Sequence, residues 1–378
     1  MTSEGFPTSD TYGDFEVGLR EAMEKASQLL EPNSIGVLCR KPLLDEDCPE
    51  ASDVDLLSIW DQPEEYPERI KVTSSSGEVF VDILRVPASA MLDSMEAASY
   101  GMLPHLLLES ETVWVRSHTV ETLINQIRQN AYEKELWERR IGNQISFGDA
   151  AFREAPRNLD FPPASLFFLQ IAHSYYMIAL ADCLRQSVMS LLTRPMTKLR
   201  RMDIETSCGL EELITANLHL EIEPSASLAA LRRVYDAINT RCASQRLQGL
   251  SARTRGHYAY TISSIELEYR EAVAKALIKR GDRASANFYI RFWAYSLSRC
   301  PVVLEEAKNG KNPSFYVPYE TLKKSLLTTC PEIVDDIALI LGDEVTRAEA
   351  EESVRGTAVF RRTVVDQIEG RGLRPCPS

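Results

Sequence analysis

The chain contains no Cys-x-x-Cys pair, no His-x-x-x-His and no His-Glu-x-x-His. Its eight cysteines are scattered, and its five histidines (His105, His118, His173, His219, His257) stand singly. The usual zinc spacings are therefore excluded, and a histidine-ligated metal is not expected. Eight thiols in 378 residues are too few for a disulfide scaffold, so reduced thiols in a cytoplasmic protein are the expectation. Positive charge is short as well. The chain carries 42 Lys and Arg against 55 Asp and Glu, a net charge of −13, which argues against a nucleic-acid-gripping protein. Met1-Thr2-Ser3-Glu4-Gly5 lacks the basic and apolar regions of a signal peptide. Only Leu166 to Leu184 is apolar enough to raise the question of a membrane. It holds Gln170, His173, Ser174, Tyr175, Tyr176 and Asp182, so it reads as a helix buried in a bundle.

The composition that remains is that of a globular protein, 44% hydrophobic and 26% charged, with length enough for two or three domains. From Asp14, a plausible N-cap, the residues Phe15, Leu19, Ala22, Ala26 and Leu29 repeat at helical spacing. Ser34 to Cys39 reads as a strand, and a loop from Arg40 to Ala51 delivers the chain to a second one, Ser52 to Trp60. Arg69 to Thr73 and Glu78 to Val86 form a hairpin about the turn Ser74-Ser75-Ser76-Gly77. Residues 88–102 read as helix, and Thr112 to Arg116 as an edge strand. The order α-β-β-β-β-α-β gives an N-terminal domain over 1–118. Beyond Thr119 nearly every segment has helical spacing, including one long helix through Leu123, Ile127, Ala131 and Leu136. An all-α region over 119–370, with a break near 205–225, and a frayed tail over 371–378 complete an α+β chain. The lone His173 on its apolar helix reads as a core histidine.

The chemistry concentrates at Asp53-Val54-Asp55. Two residues apart on a strand, both carboxylates point to one face. Acids held so close repel each other unless a cation shares them, and oxygen ligands suit Mg²⁺. An exposed strand end with two solvated aspartates is the alternative for so short a motif. A third acid, Asp82, interrupts the apolar run Val79-Phe80-Val81-Asp82-Ile83-Leu84, where a lone charge is costly unless paired.

Ser-Asp-Val-Asp-Leu-Leu (52–57) followed by Val-Phe-Val-Asp-Ile-Leu (79–84) resembles the DNA polymerase β-like nucleotidyltransferase superfamily, with a helical domain like that of its antibiotic-nucleotidyltransferase branch. The resemblance implies a mixed sheet with flanking helices, Mg²⁺ as cofactor (two ions), and a nucleoside triphosphate as co-substrate. It implies that Asp53, Asp55 and Asp82 are catalytic and hold the metal. A nucleoside monophosphate would then pass to a hydroxyl or phosphate of a small-molecule acceptor. Two alternatives stay open: a nucleotidyltransferase acting on a protein or a tRNA, and an inactive nucleotidyltransferase fold used for binding. The family's first strand ends in Gly-Ser or Gly-Gly, whereas this one reads Cys39-Arg40-Lys41, with Gly36 placed too early. Either Arg40 and Lys41, beside Ser52, replace that phosphate cradle with charge, or phosphate binding is weakened or lost. Lys198, in the basic stretch Arg194 to Arg201, resembles the helical-domain lysine that faces the phosphates, although cations near a helix C-terminus are common for dipole reasons alone.

Overall fold

A computed structural model describes residues 9–41, 52–62, 66–99, 101–188, 195–242, 252–309 and 319–375. Expectations for residues 1–8, for the loop 42–51, for Arg194, for Gly310 to Pro313 and for 376–378 lie outside them. The fold is α+β: a five-stranded mixed sheet near the N-terminus, then a run of helices. Two compact units are formed. The first comprises 1–97, 102–130 and 252–272, and the second 98–101, 131–251 and 273–378. Residues 119–130 and 252–272, assigned to the helical region by their spacing, therefore pack with the sheet.

In the first unit the strands are β1 (Gly36–Arg40), β2 (Val54–Trp60), β3 (Tyr66–Ser74), β4 (Gly77–Pro87) and β5 (Ser110–Val115), in the order β3-β4-β2-β1-β5. Only β2 and β4 run parallel. The succession of elements along the chain follows the expected one, and β5 is the expected edge. Alternation decides the two faces. Val37, Cys39, Val54, Leu56, Val72, Val79, Val81 and Ile83 point one way and bury against Leu19, Ala22, Ala26 and Leu30 of the helix Ser9–Leu30. Two details differ from expectation. The helix begins at Ser9, which puts Asp14 inside it rather than at its cap, and Leu30 closes the stripe while Leu29 is exposed. The β3–β4 turn docks on this helix. Lys25 Nζ donates to Thr73 O at 2.8 Å, and a Cβ on Gly18 would meet Ser76 Oγ at 1.7 Å, so only glycine fits there. Gly77, at φ +114°, closes the turn as few other residues can.

The expected helix over 88–102 is instead a 3₁₀ turn, Ala88–Met91, and a short helix, Ser94–Ser99. Pro104 sits in the first turn of the helix Leu103–Leu108, where a proline loses no intrahelical hydrogen bond. The long helix expected past Thr119 is two, His118–Asn130 and Lys134–Glu154, because the chain turns at Ala131 to Glu133.

In the second unit, the helix Pro162–Cys183 lies between Lys134–Glu154 and Arg347–Gly370, and 94% of its most apolar window is buried, as a core helix requires. The fully buried Arg140 donates to both oxygens of Asp182 at 2.8 Å and to the carbonyls of Ala98 and Ala131. Arg291, equally enclosed, donates to the carbonyls of Leu218, His219 and Ile340, at the C-terminal ends of two helices where carbonyls run out of intrahelical partners. None of the six described cysteines is in a disulfide.

His173 is a core histidine. Its Nδ1 donates to Leu169 O at 2.8 Å, Nε2 faces Asn217 Nδ2 at 3.4 Å, and burial pushes its pKa down to about 4. The folded protein thus holds it neutral, and its contribution to stability is complete above pH 6.5 and withdrawn as pH falls towards 4. The shift corresponds to about 3 kcal/mol. Unfolding midpoints of the wild type and His173→Gln should therefore diverge with pH, the wild type losing more between pH 7 and pH 4.5. A gap that stays constant over that range would refute the assignment.

Candidate functional site

The opposite face of the sheet carries the charges. Antiparallel pairing places Arg69 of β3 beside Asp82 of β4, and parallel pairing places Asp82 beside Asp55 of β2. Arg40 follows Cys39, the last residue of β1 to pair with β2. Arg69, Asp82, Asp55 and Arg40 thus form a row across four strands, with Asp53 two residues before Asp55 on the same face. The sheet brings the three predicted acids together.

The row is held by ion pairs. Arg40 Nη1 donates to Asp55 Oδ2. Arg69 is fully enclosed and forks three ways: Nη1 to Asp53 Oδ2 at 2.8 Å, Nη2 to Asp82 Oδ2 at 3.0 Å, and Nε to Glu266 Oε2 at 2.5 Å. Planar guanidinium geometry suits such a fork, which an ammonium could not make. Glu266 comes from the helix Ser264–Lys279, 197 residues away in sequence, and also accepts from Arg270 Nε at 2.5 Å. Tyr269 of that helix lies under the Arg69 guanidinium, 3.7 Å from ring centroid to Cζ, and meets Phe80 edge-on at 5.4 Å. Tyr260, on the helix Ala252–Thr261 that packs against β3, puts its hydroxyl 3.2 Å from both Asp82 Oδ2 and Arg69 Nη2.

Four carboxylates (Asp53, Asp55, Asp82, Glu266) here face three guanidiniums (Arg40, Arg69, Arg270). Although about a quarter of the Asp55 and Asp82 side chains remains accessible, their surroundings are poor in water. Burial, then the charge of Asp53, pushes Asp55 up to about 7 against the pull of Arg40. Burial pushes Asp82 up to about 6, with Arg69 opposing it and Glu266 and Asp53 adding to it. Both groups sit in a field short of positive charge. Asp82 Oδ1 is buried with no hydrogen-bond partner among the described residues.

These features fit a divalent cation. The donors are hard oxygens, one of them is unpartnered, and the negative charge is in excess. Among the described residues no three His, Cys, Asp or Glu side chains already form a metal cage. Mg²⁺ does not need one, since it takes one or two carboxylates and completes its shell with water and substrate phosphate.

Arg40, Lys41 and Ser52 lie on or directly beside the strands that carry the cluster. Arg40 spends its guanidinium on Asp55. Lys41 follows β1 with its amide bound to Glu109 O, and half-buried Ser52 directly precedes Asp53. Lys198 is half-buried on the helix Pro195–Thr206 in the second unit, and the cluster is built within the first. Gly36 lies inside β1, paired with Ile59. A Cβ there would come within 3.0 Å of Val115 Cγ2, so this glycine serves sheet packing. Sequence reasoning missed Arg69, Tyr260, Glu266 and Tyr269. Arg69 alone carried a signal, through the hairpin register.

No family model matches the chain, and no curated protein does. Among solved structures, a nucleotidyltransferase-like protein from Exiguobacterium sibiricum 255-15 aligns over 84% of this chain and 90% of its own, at 13% identity and a TM-score of 0.25. A score that low carries no argument. The functional reading therefore rests on the acids and the sheet that sets them.

Proposed function

We propose that the chain is a Mg²⁺-dependent, cytoplasmic nucleotidyltransferase that moves a nucleoside monophosphate from a nucleoside triphosphate to a hydroxyl or phosphate of a small-molecule acceptor. The observation that carries this reading is the register of Asp55 against Asp82 on adjacent parallel strands, with Asp53 on the same face and Asp82 Oδ1 unpartnered. When bound, Mg²⁺ supplies charge to the attacking and leaving oxygens of an in-line displacement. Asp53 and Asp55 would hold the ion and so locate the triphosphate. Asp82 would stand beside the acceptor, take its proton and return it to water. Arg69 keeps the Asp53 and Asp82 carboxylates in place through two separate nitrogens.

Asp53→Asn and Asp82→Asn should each reduce turnover by about 10³-fold, the scale of losing several kcal/mol of charge stabilisation. The measurement is mass spectrometry of reactions containing each triphosphate and a panel of hydroxylated metabolites, which reports activity and acceptor together. Turnover retained in both variants would overturn the reading.

One observation favours a second reading. Arg40 and Arg69 already cover all three acids, as they would in a binding protein that uses no metal. Calorimetric titration with triphosphate separates the two: transfer requires Mg²⁺-dependent binding, whereas the arginine-filled site would bind equally with and without the ion.

A further inference from the structure

The Tyr260 hydroxyl is a member of the acid–arginine cluster that the small-molecule reading does not use. It is half-buried, and its oxygen stands 3.2 Å from Asp82 Oδ2, the carboxylate to which that reading gives the acceptor's proton. Arg69 Nη2 donates to the same oxygen at 3.2 Å, so the phenol must direct its own hydrogen at Asp82. A hydroxyl held against the proton-taking acid, with its hydrogen pointed there, has the arrangement of an acceptor ready for attack. The tyrosine is placed there by two independent supports: the packing of the helix Ala252–Thr261 on β3, and the Arg69 fork anchored by Glu266. Phenylalanine would fill the same volume but would leave Asp82 Oδ2 and Arg69 Nη2 each one hydrogen-bond partner short.

We propose that Tyr260 is an acceptor built into the chain, and that the protein transfers a nucleoside monophosphate from a nucleoside triphosphate to its own Tyr260 Oη. This rests on the nucleotidyl-transfer reading and names one acceptor for it. Tyr260 Oη forms a bond to the α-phosphorus, the bond from that phosphorus to the bridging oxygen of the β-phosphate breaks, and pyrophosphate leaves with the electron pair. The phenolic proton passes to Asp82 and from there to water. The product is a tyrosyl phosphodiester, one nucleotide per chain.

The test is intact-mass measurement of the full-length protein after incubation with each of the four ribonucleoside triphosphates and Mg²⁺, followed by peptide mapping. The expected result is a gain of one nucleoside monophosphate, located on the peptide that contains Tyr260 and absent from Tyr260→Phe. Peptide mapping of the wild type decides the site even if that variant folds poorly. An adduct found only on another residue overturns the proposal. So does an unmodified wild type that still binds triphosphate with Mg²⁺ in calorimetry and labels small hydroxylated acceptors, and in that case the nucleotidyl-transfer reading survives. Absence of binding and of transfer to any acceptor takes down that reading, and this proposal with it.

Discussion

Asp55→Asn is expected to abolish nucleotidyl transfer and, at pH 8, to raise the midpoint of thermal unfolding. Both effects come from the same placement. Asp55 stands between Asp53 and Asp82 with Arg40 as its ion-pair partner, and burial with neighbouring negative charge pushes its pKa to about 7. A carboxyl whose folded pKa exceeds its unfolded value favours the fold only while protonated. That contribution is complete below about pH 3.8, is lost as pH rises to about 7, and changes little above. Asparagine keeps the shape and an oxygen for Arg40 but cannot ionise, so the loss disappears. The full shift overstates the gain, because water reaches part of the side chain and Arg40 loses its charge partner. A gain of about 1–2 kcal/mol, a few degrees in midpoint, is the realistic scale. Turnover should fall by about 10³-fold or more.

The controls follow from the same geometry. The midpoint gap between Asp55→Asn and wild type should open between pH 4 and pH 7 and then level off. Asp61→Asn, an exposed acid just past β2, should show neither effect. A lower midpoint at pH 8, or turnover within tenfold of wild type, would remove Asp55 from the site. Higher stability bought with lost activity is the usual mark of acids retained for chemistry rather than for the fold.

Much of this site could be read from the sequence because it is local. The two-residue spacing of Asp53 and Asp55 fixes their common face without any tertiary information. Asp82 stood out because it breaks an apolar run. Arg69 could have been found too. Once Ser74 pairs with Gly77, antiparallel counting brings Arg69 opposite Asp82, and strand alternation puts both on one face. The turn Ser74 to Gly77 is plain in the sequence, and the register of Arg69 follows from it by counting. Glu266, Tyr260 and Tyr269 were out of reach. In one dimension Tyr269 is an apolar-stripe residue of a helix, and Glu266 an ordinary first-turn acid favoured by the dipole. Nothing local records that residues 252–272 return to the sheet. The break between His118–Asn130 and Lys134–Glu154 was hidden for a related reason. Apolar residues continue at helical intervals through Ala131, and no proline or glycine marks the turn.

The second large effect is expected at Arg69. Arg69→Met should destabilise the protein by about 3–5 kcal/mol, the usual consequence of removing one partner from a buried ionic cluster. Methionine fills the volume and can lie on Tyr269, so lost packing is not the cause. The cost lies in the carboxylates left behind, and they are not affected equally. Glu266, with no exposed surface, keeps Arg270, and Asp82 keeps the Tyr260 hydroxyl, but Asp53 loses the guanidinium that held it at 2.8 Å. Arg69→Lys should fall between the two, since one ammonium cannot reach along three directions at once. Adding Asp53→Asn should recover part of the loss in the Met background and be costly in the wild type, a coupling that a double-mutant cycle in urea would expose. Magnesium supplies the decisive contrast. Asp53 and Asp82 freed from Arg69 should take up the ion more readily, so Mg²⁺ should raise the unfolding midpoint of Arg69→Met more than that of the wild type. Equal Mg²⁺ responses would mean that these acids answer to arginine alone, which is the condition of the metal-free binding protein. A stability loss under about 1 kcal/mol would mean that the three-way fork does not hold the cluster at all.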